Sequence, residues 1–179
     1  FVYQRPQHLL SRFANATRVF FIEEPIFHEA PDKLHIHEAS KNVFVITPHI
    51  THGTSESEVT ARQKQMVNNL LSVMEINNYF SWYYTPMAIP FTDRLSPKLV
   101  VYDCCMDELA AFKFAPPALK INEQKLLDKA DVVFTGGYSI YEAKKHQHYN
   151  IYPFPSSIDK KHFGSARTIT TDPADQAHI

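Results

Sequence analysis

Residues 116–152 read PPALKINEQKLLDKADVVFTGGYSIYEAKKHQHYNIY, and the order of patterns in this stretch decides the fold class. Tandem Pro116 and Pro117 open a predicted helix that ends at Ala130, because proline is tolerated in a first helical turn and nowhere further in. Asp131 to Thr135 (DVVFT) is then a short β-branched and aromatic run. Gly136-Gly137 breaks it, a second helix is predicted over Ser139 to His148, and another strand begins at Ile151-Tyr152 before Pro153 and Pro155. Strands separated by helices of this length are joined as parallel β-α units. The strands are near-continuous in apolar residues, which agrees, since alternation is lost when both faces are buried.

Working outward, the same alternation recurs. Leu99 to Asp103 (LVVYD) is a buried strand, and Tyr79 to Thr85 is another, stopped by Pro86. Glu56 to Met74 places Val59, Met66, Val67, Leu70, Leu71 and Met74 at helical spacing, giving one apolar face. Arg18 to Glu23, Leu34 to His37 and Val43 to Thr47 are three further short strands. A helix is expected from Pro6, with Leu9, Leu10 and Phe13 as its apolar stripe. The expected architecture is an α/β domain built on one open, mostly parallel sheet with helices on both faces.

The chain's bulk properties exclude several function classes. Its 179 residues suffice for one domain with a full core. Eighteen basic against nineteen acidic side chains give a net charge of -1, which offers no global pull toward nucleic acid or an anionic membrane. The longest apolar runs, such as Val19 to Ile22, are far too short to span a bilayer, and no basic segment followed by an apolar one opens the chain. Opening on Phe1, the chain reads as a processed or excised piece. Cys104 and Cys105 are the only cysteines and are adjacent, so they read as free thiols in a reducing compartment. The polar tail from Ala166 reads as a linker.

In an open parallel sheet, ligands bind beyond the carboxyl ends of the strands. Four junctions stand there. The turn Gln4-Arg5-Pro6-Gln7-His8 starts a helix and carries no acid, although the positive end of the helix dipole normally attracts one. An external anion such as phosphate would complete Arg5, Gln7 and His8; a solvated or internally paired turn is the alternative. Gly136 and Gly137 expose amide donors ahead of a helix that Ser139 can cap, or they form a plain tight turn. Asp103, Asp107 and Glu108 follow a strand and are able to orient hydroxyls or act as bases, with capping as the rival role for Asp107. Tyr84 and Thr85 suit the faces and hydroxyls of a sugar ring, or a core edge. His35 and His37 share one strand face, with His28, His49 and His52 near in sequence. Spacing sets no third ligand, so no metal site is expected.

The segments Arg5-Pro-Gln-His-Leu9, Tyr84-Thr-Pro-Met87, Val101-Tyr-Asp103, Asp131-Val-Val-Phe-Thr-Gly-Gly-Tyr-Ser139 and Phe154-Pro-Ser-Ser-Ile-Asp159, with Phe163, together resemble the amino-terminal half of GT-B glycosyltransferases. The resemblance is to a bacterial subgroup of the large retaining family, some members of which are associated with UDP-galactopyranose mutase. Ser156-Ser157-Ile158-Asp159 stands where that family often has Asn-Gly-Val-Asp.

The resemblance implies a Rossmann-like amino-terminal, acceptor-side domain over residues 1–165. Residues 166–179 would lead toward the carboxyl-terminal domain, which is missing here. It implies a nucleotide-sugar as substrate rather than any bound cofactor, a carbohydrate or lipid-linked acceptor, and no nucleic acid. It also implies a cytoplasmic location, free or peripheral to the inner face of the membrane. Arg5, Gln7, His8, Gly136, Gly137 and Ser139 would face the donor diphosphate. Tyr84, Thr85 and Tyr138 would face the acceptor, and Asp103, Asp107 or Glu108 would be the catalytic carboxylate. The family begins with a strand ahead of the Arg-Pro-Gln-His helix. Only Phe1-Val2-Tyr3 stand there in this chain, so a central sheet position is expected to be empty or filled otherwise. Two rival readings are a non-catalytic module of the same fold that partners a sugar-nucleotide enzyme such as UDP-galactopyranose mutase, and a metal-dependent hydrolase using the His-rich segment 28–52.

Overall fold

The computed structural model describes residues 4–105, 117–164 and 167. Helix α1 (Arg5–Phe13) starts at a Gln4 cap, whose backbone N–H donates to Gln7 Oε1 at 3.1 Å. Four strands follow: β1 (Val19–Ile22), β2 (Ile26–His28), β3 (Lys33–Ser40) and β4 (Val43–Thr51). β1 and β2 lie end to end along one edge of β4, both parallel to it, while β3 pairs antiparallel along the other edge. Asn42 makes the β3–β4 reversal at φ +64°, a left-handed conformation that its short polar side chain tolerates.

Helix α2 (Glu56–Val73) crosses to a second, all-parallel sheet. It runs β5 (Phe80–Tyr83), β6 (Leu99–Cys104), β7 (Val132–Thr135), β8 (Ile151–Pro153) in spatial order. A 3-10 turn (Pro86–Ala88) leads into α3 (Ile89–Thr92) after β5. Helices α4 (Pro117–Lys129), α5 (Tyr138–Lys144) and α6 (Lys160–Gly164) complete the described chain.

The fold class is the expected one: α/β, with parallel ladders and interleaved helices. Among the described residues the strands fall into two four-stranded sheets, since none of them bonds both β1 and β5. β2, the Pro86–Thr92 turns and α6 were not legible at all, since three to five residues carry no usable period.

The larger core lies on one face of the second sheet. Tyr83, Val100, Tyr102, Cys104 and Val133 pack there against Ile89 of α3 and Leu126 and Leu127 of α4. Strand residues at odd steps point the other way. A smaller core joins Ile46 and Ile50 of β4 to Val67 and Leu70 of α2.

Beside the larger core lies a buried ionic group. Glu123 on α4 accepts hydrogen bonds from Lys144 Nζ at 2.9 Å and the Tyr102 hydroxyl at 3.0 Å, and all three side chains are buried. Removing one member of such a pair strands the other without solvent. Lys144→Met is therefore expected to lower unfolding free energy by about 3–5 kcal/mol, and the Lys144→Met/Glu123→Met double variant to recover part of that loss, both read from urea denaturation.

Candidate functional site at the strand exits

Asp103 is the fifth residue of β6 and has no exposed surface. Its neighbours Tyr102 and Cys104 point into the α4 side, so Asp103 points to the opposite face, where α1 begins. An isolated carboxylate there would be costly. Arg5 supplies the counter-charge from the first residue of α1, with Nε donating to Oδ2 at 3.0 Å and Nη2 donating to Oδ1 at 2.8 Å. The third guanidinium nitrogen, Nη1, donates to the Phe154 carbonyl at 2.5 Å. The guanidinium carbon also stands 5.2 Å from the Phe154 ring centre, within cation–π range. Burial pushes the Asp103 carboxyl above its ordinary range, and the Arg5 hydrogen bonds and charge pull it back.

Gly136 closes the same rim. Its N–H donates to the Cys104 carbonyl at 2.9 Å, and a Cβ at this position would lie 2.5 Å from the Cys105 carbonyl oxygen. Glycine is thus required by close backbone approach. Phe154 follows β8, and its N–H donates to the Thr135 carbonyl at 2.7 Å, which holds the exit of β8 against that of β7.

An aromatic file lines this face of the sheet: Phe13 meets Trp82, Trp82 meets Phe134, and Phe134 meets Phe154, at centroid separations of 5.3, 5.9 and 5.5 Å. Among the described residues, the Trp82 indole nitrogen and the Tyr84 hydroxyl are buried beside the ion pair with no partner in hydrogen-bond geometry. Burial, and then the Asp103 charge, push the Tyr84 hydroxyl upward, so it stays protonated and able to donate.

The structure therefore brings together Arg5, Asp103, Gly136 and Tyr84 from the sequence-derived set. Gln7 belongs to the same first turn as Arg5 and is engaged in the α1 cap, and His8 starts the next turn of that helix. Thr85 Oγ1 accepts from the Met87 N–H at 3.3 Å and caps the 3-10 turn. Gly137 is extended and is itself the N-cap of α5, so Ser139 is not the cap; it lies one residue inside the helix and is exposed. A Cβ on Gly137 would meet nothing within 4 Å, so there the glycine is not required by space. Tyr138 is exposed. Asp107 and Glu108 lie outside the described residues.

Two contributors escaped the sequence reading, Trp82 and Phe154. Trp82's position on a strand edging the rim was the available signal; for Phe154 it was the place at the head of the Phe154 to Asp159 segment that carries part of the resemblance. The histidines form a separate cluster, with His49 in ring contact with His28 at 5.2 Å and His35 at 5.9 Å. Burial, then the charges of Lys33, His28 and His35, hold the His49 imidazole below its ordinary range. Among the described residues no three His, Cys, Asp or Glu side chains are grouped so as to hold a metal ion. Nor is any described helix long and apolar enough to cross a membrane.

No protein-family model matches the chain, and no curated protein matches it in sequence. Among solved structures it is similar to a sucrose-phosphate synthase from Thermosynechococcus elongatus, at a TM-score of 0.62 and 13% identity. The match covers 95% of this chain and 47% of that one, so the chain spans about half the length of the protein it resembles. At this identity the likeness is one of fold: a Rossmann-like domain of the kind found in GT-B enzymes.

Two outcomes follow from the rim geometry. Arg5→Ala leaves the Asp103 carboxylate buried and unpaired, and a loss of about 3–5 kcal/mol is expected at neutral pH. Because the folded-state carboxyl is already raised and loses its pull-down in the variant, it takes up a proton more readily folded than unfolded. The deficit should therefore shrink as pH falls toward the ordinary Asp value of 3.8, which urea melts at neutral and acidic pH will read. Gly136→Ala forces backbone apart and should cost about 1–3 kcal/mol in the same assay.

Proposed function

We propose that this chain is the amino-terminal half of a glycosyltransferase that moves a sugar from a nucleotide-sugar donor to a carbohydrate or lipid-linked acceptor. The observation that carries the reading is the convergence at one rim of an arginine-bearing helix start, a buried strand-end aspartate and a glycine-tight turn, in a chain whose fold follows one half of a GT-B enzyme. Departing diphosphate gains negative charge, and the first turn of α1 contains no acid to oppose it. In this reading Arg5 fixes where α1 begins, by its three hydrogen bonds to Asp103 and Phe154. Gln7 and His8 then face the diphosphate across a cleft shared with a second domain, and Tyr84 and Thr85 lie toward the acceptor.

One observation favours a second reading. Arg5 and Asp103 satisfy each other, so the most prominent charges at the rim are already spent, as they would be in a non-catalytic module that partners a sugar-nucleotide enzyme.

The discriminating experiment is transfer from a panel of labelled nucleotide-sugars by the protein in its full length, with carbohydrate and lipid-linked acceptors. Transfer is expected, and His8→Ala should lower kcat by about 10²-fold while leaving the melting temperature unchanged. Absence of transfer with every donor, alongside retention of a sugar-nucleotide enzyme on the immobilised protein, would replace the first reading with the second.

A further inference from the structure

A cavity of about 440 Å3 opens between the start of α2, the Pro86–Thr92 turns and the start of α4. It lies on the α3 and α4 side of the second sheet, opposite the face to which Asp103 points, so it is separate from the rim described above. Two amides line it. Gln63 stands on the buried stripe of α2, four residues from both Val59 and Val67, and Asn122 stands on that of α4 between Leu119 and Leu126. Both are more than nine-tenths buried, at 7% and 5% exposure.

Apolar residues at these two positions would simply extend the stripes. The Gln63 side chain instead makes no hydrogen bond among the described residues, and Asn122 Nδ2 has only the Met87 sulfur at 3.8 Å, a weak acceptor. Neither residue is among those with a buried polar atom left without a partner, so the amide groups reach the opening, where a ligand's hydroxyls would take the place of water. Glu56 is the only charged group among the described lining residues, Thr60 adds a hydroxyl, and Phe91 adds an apolar ring.

We infer that this cavity is a binding site for a neutral saccharide unit. Each amide offers a donor and an acceptor side by side, which matches neighbouring hydroxyls on a sugar ring. Phe91 suits the ring's C–H face. Glu56 accepts from hydroxyls and repels phosphate or sulfate. The volume lies within the range of small-ligand sites. The inference does not depend on the transferase reading, since it needs no donor and no second domain.

The test is saturation-transfer NMR and calorimetric titration of the 179-residue chain with glucose, galactose and mannose, their methyl glycosides, and glucose 6-phosphate. Saturable binding of at least one neutral sugar is expected, with the phosphate excluded. Gln63→Leu and Asn122→Leu should each weaken it about tenfold or more, with the near-ultraviolet circular dichroism unchanged. Glu56→Gln should keep the neutral sugar and admit the phosphate. If either leucine variant fails to fold, Thr60→Val and Glu56→Gln, at less buried positions, carry the same test through loss of affinity and loss of phosphate exclusion. A methyl glycoside binding as tightly as its free sugar supports a terminal unit of a longer glycan as the natural occupant; weaker binding supports the free sugar. No saturable binding, binding indifferent to these variants, or a wild-type preference for the phosphate would overturn the inference.

Discussion

A carboxylate with no access to water sits at the end of β6, and one guanidinium, 98 residues away in sequence, neutralises it. Such a pair adds little net stability, because desolvating both charges consumes most of what their attraction returns. Its effect is geometric. With both oxygens of Asp103 taken and the third donor on the Phe154 carbonyl, the first residue of α1 has one place to be. Planar, forked donors do this where the point charge of a lysine would leave the helix free to slide. The position of the α1 start, and whatever the first turn presents to a ligand, depends on that contact.

Around it the rim is built by close approach. Gly136 lets the exit of β7 touch the backbone beyond β6, and the Phe154 N–H draws the exit of β8 onto β7. Four aromatic rings then run in file beneath the ion pair. The rings supply a low-polarity floor, which strengthens every charge interaction above them and leaves the Tyr84 and Trp82 donors unmatched in the described structure.

Much of this was legible in the sequence where physics acts locally. Val132 to Thr135 and Leu99 to Cys104 announce themselves because strands covered on both faces have no room for polar side chains. The eighteen-residue α2 shows its period plainly. The acid-free start of α1 was visible as an electrostatic anomaly, but its resolution through Asp103 was not, since nothing in either neighbourhood encodes a contact across 98 positions. The neighbour of each strand was hidden for the same reason: strand patterns reveal which residues are extended, not which strand lies beside which. Gln63 and Asn122 drew no notice in the sequence, and only the fold shows that both open on one space.

The hydrogen bond from Arg5 to the Phe154 carbonyl has a mechanical side. Phe154 is where the backbone leaves the second sheet toward α6, so the path of the departing chain is tethered to the same side chain that balances the buried acid. One guanidinium thus serves two anchors, so the outgoing backbone and the buried acid share a single point of attachment.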